Sequence, residues 1–191
     1  IINLHKPNNS FNKKNYINRL IFDEILSTFL INSKIRINFK KKSKLPKKTN
    51  YGIIKFVERK IGFQLTLDQI NAIKQINSDI SSKQRMFRLL QGDVGSGKTI
   101  VSLIASFNII LNKYQVAFMA PTEILAKQHF KLFTKIFGEN VNSELLTGKT
   151  EYKKRKNILK NLDNNKIDII FGTHALFQKK IKFKKLGLII I

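Results

Sequence analysis

Residues 89–99 read LLQGDVGSGKT, and the reading of this stretch decides the fold. Gly92, Asp93, Val94, Gly95, Ser96, Gly97, Lys98 and Thr99 fit the pattern G-x-x-x-x-G-K-[ST]. The apolar run MFRLL (86–90) leads into it and a helical stretch, Thr99–Leu111, leads out, so the sequence predicts a strand, a glycine-rich turn and a helix. Glycines let consecutive backbone N–H groups turn inward around a phosphate, and the helix N-terminus behind them adds a favourable dipole. Lys98 is placed to neutralise the terminal phosphates and Thr99 to hold Mg²⁺ through its hydroxyl, which makes both catalytic candidates. The bland alternative is a turn that merely joins strand to helix. Motif and context together favour the phosphate loop.

Outward from this loop the pattern alternates. Apolar runs QVAFMA (115–120), VNSELL (141–146), DIIFG (168–172) and LGLIII (186–191) read as strands, and Glu123–Phe137 and Glu151–Leu162 as helices between them. Strict alternation predicts an α/β fold, a parallel sheet with helices on both faces. Ahead of it, residues 11–32 place Ile17, Leu20, Ile21, Ile25, Leu26 and Phe29 at helical spacing behind a cap at Ser10. A lysine-rich connector containing Pro46 follows over residues 33–50. The expected division is a helical linker and basic connector (1–50) and an α/β domain (51–191).

Upstream of the loop, FQLTLDQINAI supplies Phe63 and Gln69. A planar ring can stack on adenine and a carboxamide can pair with its N6 and N7, which would select ATP. Thr66-x-x-Gln69 is also a capping box opening a helix to about Ile76, and both roles can hold at once. Downstream, APTEILAKQH (120–129), LLTG (145–148) and GTHAL (172–176) each follow a predicted strand, at the edge where open parallel sheets place ligands. Their hydroxyls, N–H groups and small residues suit contact with a nucleic-acid backbone rather than with bases. Singly, each is also an ordinary loop, Glu123 a helix starter and His174 a packed or surface histidine.

Composition narrows the classes. With no cysteine there are no disulfides, cysteine zinc sites or thiol catalysis, and His5, His129 and His174 are too scattered for HExxH, so any metal arrives with a nucleotide. No apolar run approaches the ~20 residues of a membrane span, and IINLHKPNNS lacks the order of a signal peptide, so a cytoplasmic protein with no membrane partner is expected. Lysine and arginine number 36 against 12 acidic residues, a net charge of +24 that attracts polyanions. Only six of the 36 are arginine, and any one lysine run, such as Lys40–Lys42, also reads as a solvated face. Charge alone would allow a basic nucleic-acid-binding module without turnover; specific nucleotide binding separates that class from an ATP-driven one.

Taken together and in this order, RLIFDE (19–24), FQLTLDQ, GDVGSGKT, APTEILAKQH, LLTG, DIIFGTHALFQ and LGLIII resemble the RecG family of superfamily 2 ATP-dependent DNA helicases. The motor of transcription-repair coupling factors is similar, but its loop usually carries Phe where Ser96 stands and lacks the APTEILA and LLTG wording. The resemblance implies a P-loop, RecA-like half-motor behind a helical linker that follows a wedge domain. It implies Phe63 and Gln69 as adenine contacts and residues 92–99 as the ATP and Mg²⁺ loop. Pro121, Thr122, Thr147, Gly148, Thr173 and His174 become DNA-tracking residues, with branched or forked DNA as partner in repair and recombination and a monomer as the expected state. In that family the strand matching LGLIII runs into a DEQH box. The sequence given stops at Ile191, so it reads as an internal piece of a longer protein and is not expected to turn over ATP by itself.

Overall fold

The computed structural model describes residues 13–41, 43–138, 141–177 and 181–191. Ser10, His5 and the first residues of the expected linker lie outside them. By chain contacts the molecule divides into two compact units, residues 1–44 with 83–87, and residues 45–82 with 88–191.

The first unit carries helix α1 (Lys13–Lys41). The helix was expected from residues 11–32, followed by a connector from 33. It instead continues through the basic stretch, because lysine and arginine are good helix formers and the first breaker, Pro46, stands beyond its end. Its apolar side chains Ile21, Ile25 and Phe29 are exposed. Ser43 and Gln84 form an isolated antiparallel bridge, and Lys44 N–H donates to the Lys83 carbonyl at 2.8 Å.

In the second unit, α2 (Gly52–Ile61) and α3 (Leu67–Ser81) precede the glycine-rich loop, and α4 (Lys98–Leu111) follows it. Then come β1 (Gln115–Met119), α5 (Glu123–Phe137), β2 (Ser143–Leu146), α6 (Tyr152–Asp163), β3 (Ile169–Gly172), a 3₁₀ turn (His174–Phe177) and β4 (Leu186–Ile190). The four strands are parallel in the order β2-β3-β1-β4. Val116 pairs with Ile169 and Phe118 with Phe171, so alternate residues face opposite sides. On one side Phe118 and Phe171 meet Phe130 and Phe133 of α5, and Phe137 stacks on Phe107 of α4 at 4.3 Å. On the other, Ala117 and Ile170 pack with Leu146 and with Ile158 and Leu162 of α6. Helices therefore cover both faces, as the alternation predicts.

One expected strand does not form. Residues 85–90 enter no strand, although MFRLL is apolar. Phe87 is exposed, Leu89 is 84% exposed, and Arg88 is held sideways on α3 by Asp79 (2.7 Å) and Gln75 (2.8 Å). Apolar character marks a candidate strand, but a strand exists only where a neighbour completes its ladder.

The sheet core is fixed by a buried carboxamide. Gln115, 1% exposed, donates through Nε2 to the carbonyls of Leu162 (2.8 Å) and Ile167 (3.0 Å) and accepts from Lys185 N–H (3.1 Å). It thereby joins β1 to α6, to the approach to β3 and to the approach to β4.

Candidate functional site

The register brings three loops to one edge. Gly172 closes β3 opposite Leu146 of β2 on one side and Met119 of β1 on the other, so the next residues of each strand, Thr147, Thr173 and Ala120, leave side by side. Ala120 N–H donates to the Gly172 carbonyl at 2.8 Å, extending the pairing by one step. With strands about 4.8 Å apart, the loops after β2, β3 and β1 span roughly 10 Å along this edge. Glu123 links two of them: its carboxylate lies 3.9 Å from Lys149 Nζ, and a methyl placed on Gly148 would sit 3.5 Å from it. That tie between the loop after β1 and the loop after β2 is not legible in sequence, where the two residues are far apart.

The three loops do not present every expected residue outward. Pro121, Thr122, Gly148 and His174 are exposed, but Thr147 (4%) and Thr173 (9%) are buried. Thr122 caps α5 by accepting from Leu125 N–H at 3.2 Å, and Thr147 N–H donates to Thr150 Oγ1 at 3.0 Å. Thr147 closes its turn through its backbone, and the exposed surface of these loops is made by the neighbours of the two buried threonines.

The glycine-rich loop reaches the same edge. Helix α4 packs on β1 and β4 and is followed, after a short turn, by β1 itself, so the two run in opposite senses. The N-terminus of α4 then stands over the C-terminal ends of the strands. Gly95 (φ 83°) and Gly97 (φ 79°) hold the left-handed backbone that turns residues 92–97 back on themselves, and Gly97 is the N-cap of α4. Lys98 folds over the loop and donates to the carbonyls of Gly92 (2.8 Å) and Asp93 (2.6 Å), with Ser96 Oγ at 3.4 Å. Its ammonium is thus aimed into the concavity of the loop, where a phosphate would compete for it. Thr99 is half-buried in the first turn of α4, and Val94 is fully exposed at the tip.

Gln69 touches this loop directly. Thr66 Oγ1 accepts from Gln69 N–H (3.3 Å) and Gln69 Oε1 accepts from Thr66 N–H (3.0 Å), the reciprocal capping box expected at the start of α3. The remaining end of the carboxamide, Nε2, donates to the Ser96 carbonyl at 2.9 Å. Both amide ends are engaged, one on its own helix and one on the glycine-rich loop. A methyl at Gly97 would collide with Gln69 Nε2. Phe63, 57% exposed, precedes α3 with its ring open to stacking.

Among the described residues no group of three or more His, Cys, Asp or Glu gathers to hold a metal, and no helix is long and apolar enough to cross a membrane. His129 lies beside the Phe118 ring at 5.3 Å, and burial lowers its pKa. Burial likewise lowers the pKa of Lys47, whose ammonium lies 4.4 Å from the centre of the Tyr114 ring.

Comparison with known proteins places this geometry. Residues 66–191 match the DEAD/DEAH box helicase family. The chain is 41% identical over 196 residues to the ATP-dependent DNA helicase RecG of Aquifex aeolicus (strain VF5), covering 98% of this chain and 25% of that protein. It is 46% identical over 135 residues to RecG of Staphylococcus aureus (strain NCTC 8325 / PS 47), covering 71% of this chain and 20% of that protein. Among solved structures, RecG bound to a three-way DNA junction superposes with a TM-score of 0.79 at 39% identity, over 90% of this chain and 24% of that one. The chain thus spans about a quarter of the length of the relatives it matches.

Proposed function

The chain belongs to the DEAD/DEAH box helicase family, and on that premise we propose that it is the ATP- and DNA-binding part of a RecG-like motor acting on forked or branched DNA. The observation that carries this reading is the shared edge: the phosphate loop and the three loops after β2, β3 and β1 all open at the C-terminal ends of one parallel sheet. A change at the phosphates is thereby transmitted to nucleic acid through a few rigid elements rather than across the molecule.

In this reading residues 92–97 receive the phosphates through backbone N–H groups, and Lys98 leaves the carbonyls of Gly92 and Asp93 to pair with them. The Thr99 hydroxyl holds Mg²⁺ brought in with the nucleotide. Phe63 and Gln69 supply the adenine end, and the bond from Gln69 Nε2 to the Ser96 carbonyl steadies that carboxamide beside the loop. Pro121, Thr122, Gly148 and His174 face the DNA backbone, with Thr147 and Thr173 holding their turns. Such contacts carry little base preference and steep salt dependence, which suits a chain of net charge +24. Residues 1–50 would then be the linker and connector leading into the motor, which occupies 51–191.

The test is ATP hydrolysis by the full-length protein with and without three-way-junction DNA. Hydrolysis stimulated by the junction and lost in Lys98→Ala supports the reading. DNA binding without any nucleotide-dependent activity would leave the basic binding module instead.

A further inference from the structure

A polar ladder crosses the apolar interface behind the phosphate loop. Asn108 of α4, 0% exposed, donates through Nδ2 to Asn77 Oδ1 of α3, 1% exposed, at 3.1 Å. Its own Oδ1 accepts from Asn50 N–H at 2.8 Å. One turn on, Asn112 grips the same strap twice, accepting from Lys48 N–H (2.9 Å) and donating to the Lys48 carbonyl (2.7 Å). Elsewhere both helices bury aliphatic side chains, Ile73, Ile76 and Ile80 on α3 and Val101, Ile104 and Ile109 on α4.

Aliphatic contacts are non-directional and tolerate sliding, whereas the buried bond from Asn108 Nδ2 to Asn77 Oδ1 is made in one register only; Nδ2 of the same Asn77 amide is buried without a partner. These same two helices carry the two halves of the nucleotide site at their starts. Gln69 opens α3 and Lys98 opens α4, and the Gln69–Ser96 bond joins those ends as Asn77–Asn108 joins the bodies. Gln69 and Asn77 stand eight residues apart, so the rung lies about 12 Å down α3 from the carboxamide that meets the loop.

We propose that Asn77 and Asn108 are positioning residues: their buried side-chain bond sets the register of α3 against α4 and so holds Gln69 where it reads adenine beside the phosphate loop. The proposal rests on the adenine role of Gln69 given above. Loss of the rung lets α3 shift and misplaces the base-reading end, while Lys98 and Thr99, carried by α4 itself, keep their places.

The test is calorimetry of the full-length protein and its Asn77→Leu variant with three probes, ATP, GTP and inorganic tripolyphosphate. Asn77→Ser is the second variant should leucine prevent folding. The expected result is that ATP binding weakens about tenfold, the scale of one net hydrogen bond, with tripolyphosphate affinity unchanged. ATP binding equal to the parent, or parallel weakening of ATP and tripolyphosphate, overturns the positioning role. Loss of folding in both variants assigns the pair to stability alone and overturns it too. A parent protein that binds ATP and GTP equally removes the adenine role of Gln69 itself, which identifies the premise as the failure.

Discussion

Gly97→Ala and Gly95→Ala together isolate the contact between Gln69 and the phosphate loop. Both glycines hold positive φ, 79° and 83°, so alanine at either position is forced into a left-handed backbone, at about 1–2 kcal/mol. Only one of them meets a neighbour: a methyl at Gly95 finds nothing within 4 Å, and a methyl at Gly97 collides with Gln69 Nε2. Gln69 must then turn away and give up its bond to the Ser96 carbonyl, a net loss of roughly 0.5–1.5 kcal/mol. Gly97→Ala is therefore expected to cost about 1.5–3.5 kcal/mol in total, and to exceed Gly95→Ala by about 1 kcal/mol. Urea denaturation gives the stability difference. Calorimetry with ATP, referenced to tripolyphosphate, gives the loss at the adenine end, which should appear in Gly97→Ala alone. Two variants equal in stability and in their ATP-to-tripolyphosphate ratio would refute the reasoning.

Other outcomes follow from the same geometry. Lys98→Ala should remove measurable ATP binding while the protein stays folded, since one charge-assisted phosphate contact is worth at least ~1.5–3 kcal/mol; retained affinity by calorimetry counts against the loop. Phe63→Ala should weaken ATP far more than tripolyphosphate, and equal losses would end the stacking role. Gln115→Leu should destabilise the protein by roughly 2–4 kcal/mol, measured by urea denaturation, because buried backbone groups joined by its carboxamide lose their partner. For His129 the folded pKa lies below the ordinary 6.5, so the unfolded chain binds more protons between the two values. Stability contributed by the neutral ring is thus full above pH 6.5 and falls as pH drops through the folded pKa, and His129→Gln should flatten melting curves in that window.

What could be read in the sequence was whatever is local. The glycine-rich loop is eight consecutive residues whose types alone specify turn, charge and helix start. Glu123–Phe137 announces itself by period, and the helix forms over those residues, with a Thr122 cap that the sequence reading does not include. The alternation of runs and helices is likewise local, and the parallel sheet follows from it. Residues 86–90 show the limit, because their apolar character is real but pairing depends on a neighbour that composition does not name. Helix α2 is not legible in the sequence because GIIKFVERKI is too short to repeat its period. The burial of Thr147 and Thr173 is decided by how strands end against each other, not by residue type. Asn77, Asn108 and Asn112 look like indifferent helix residues in isolation. The one faint signal was an asparagine pair at i, i+4 in the otherwise apolar stretch FNIILN (107–112).

The most direct measurement of the shared-edge account is the concentration of three-way-junction DNA that half-activates ATP hydrolysis by the full-length protein, compared with a variant in which Lys149 and His174 are both changed to glutamate. Both side chains are exposed on loops after β2 and β3, remote in sequence from the phosphate loop. The account predicts that the half-activating concentration rises at least about tenfold, because a negative charge at His174 and another at Lys149, the exposed neighbour of Gly148, repel a phosphate backbone on that edge, with ATP affinity in the absence of DNA unchanged. Unaltered activation by DNA in that variant would contradict it.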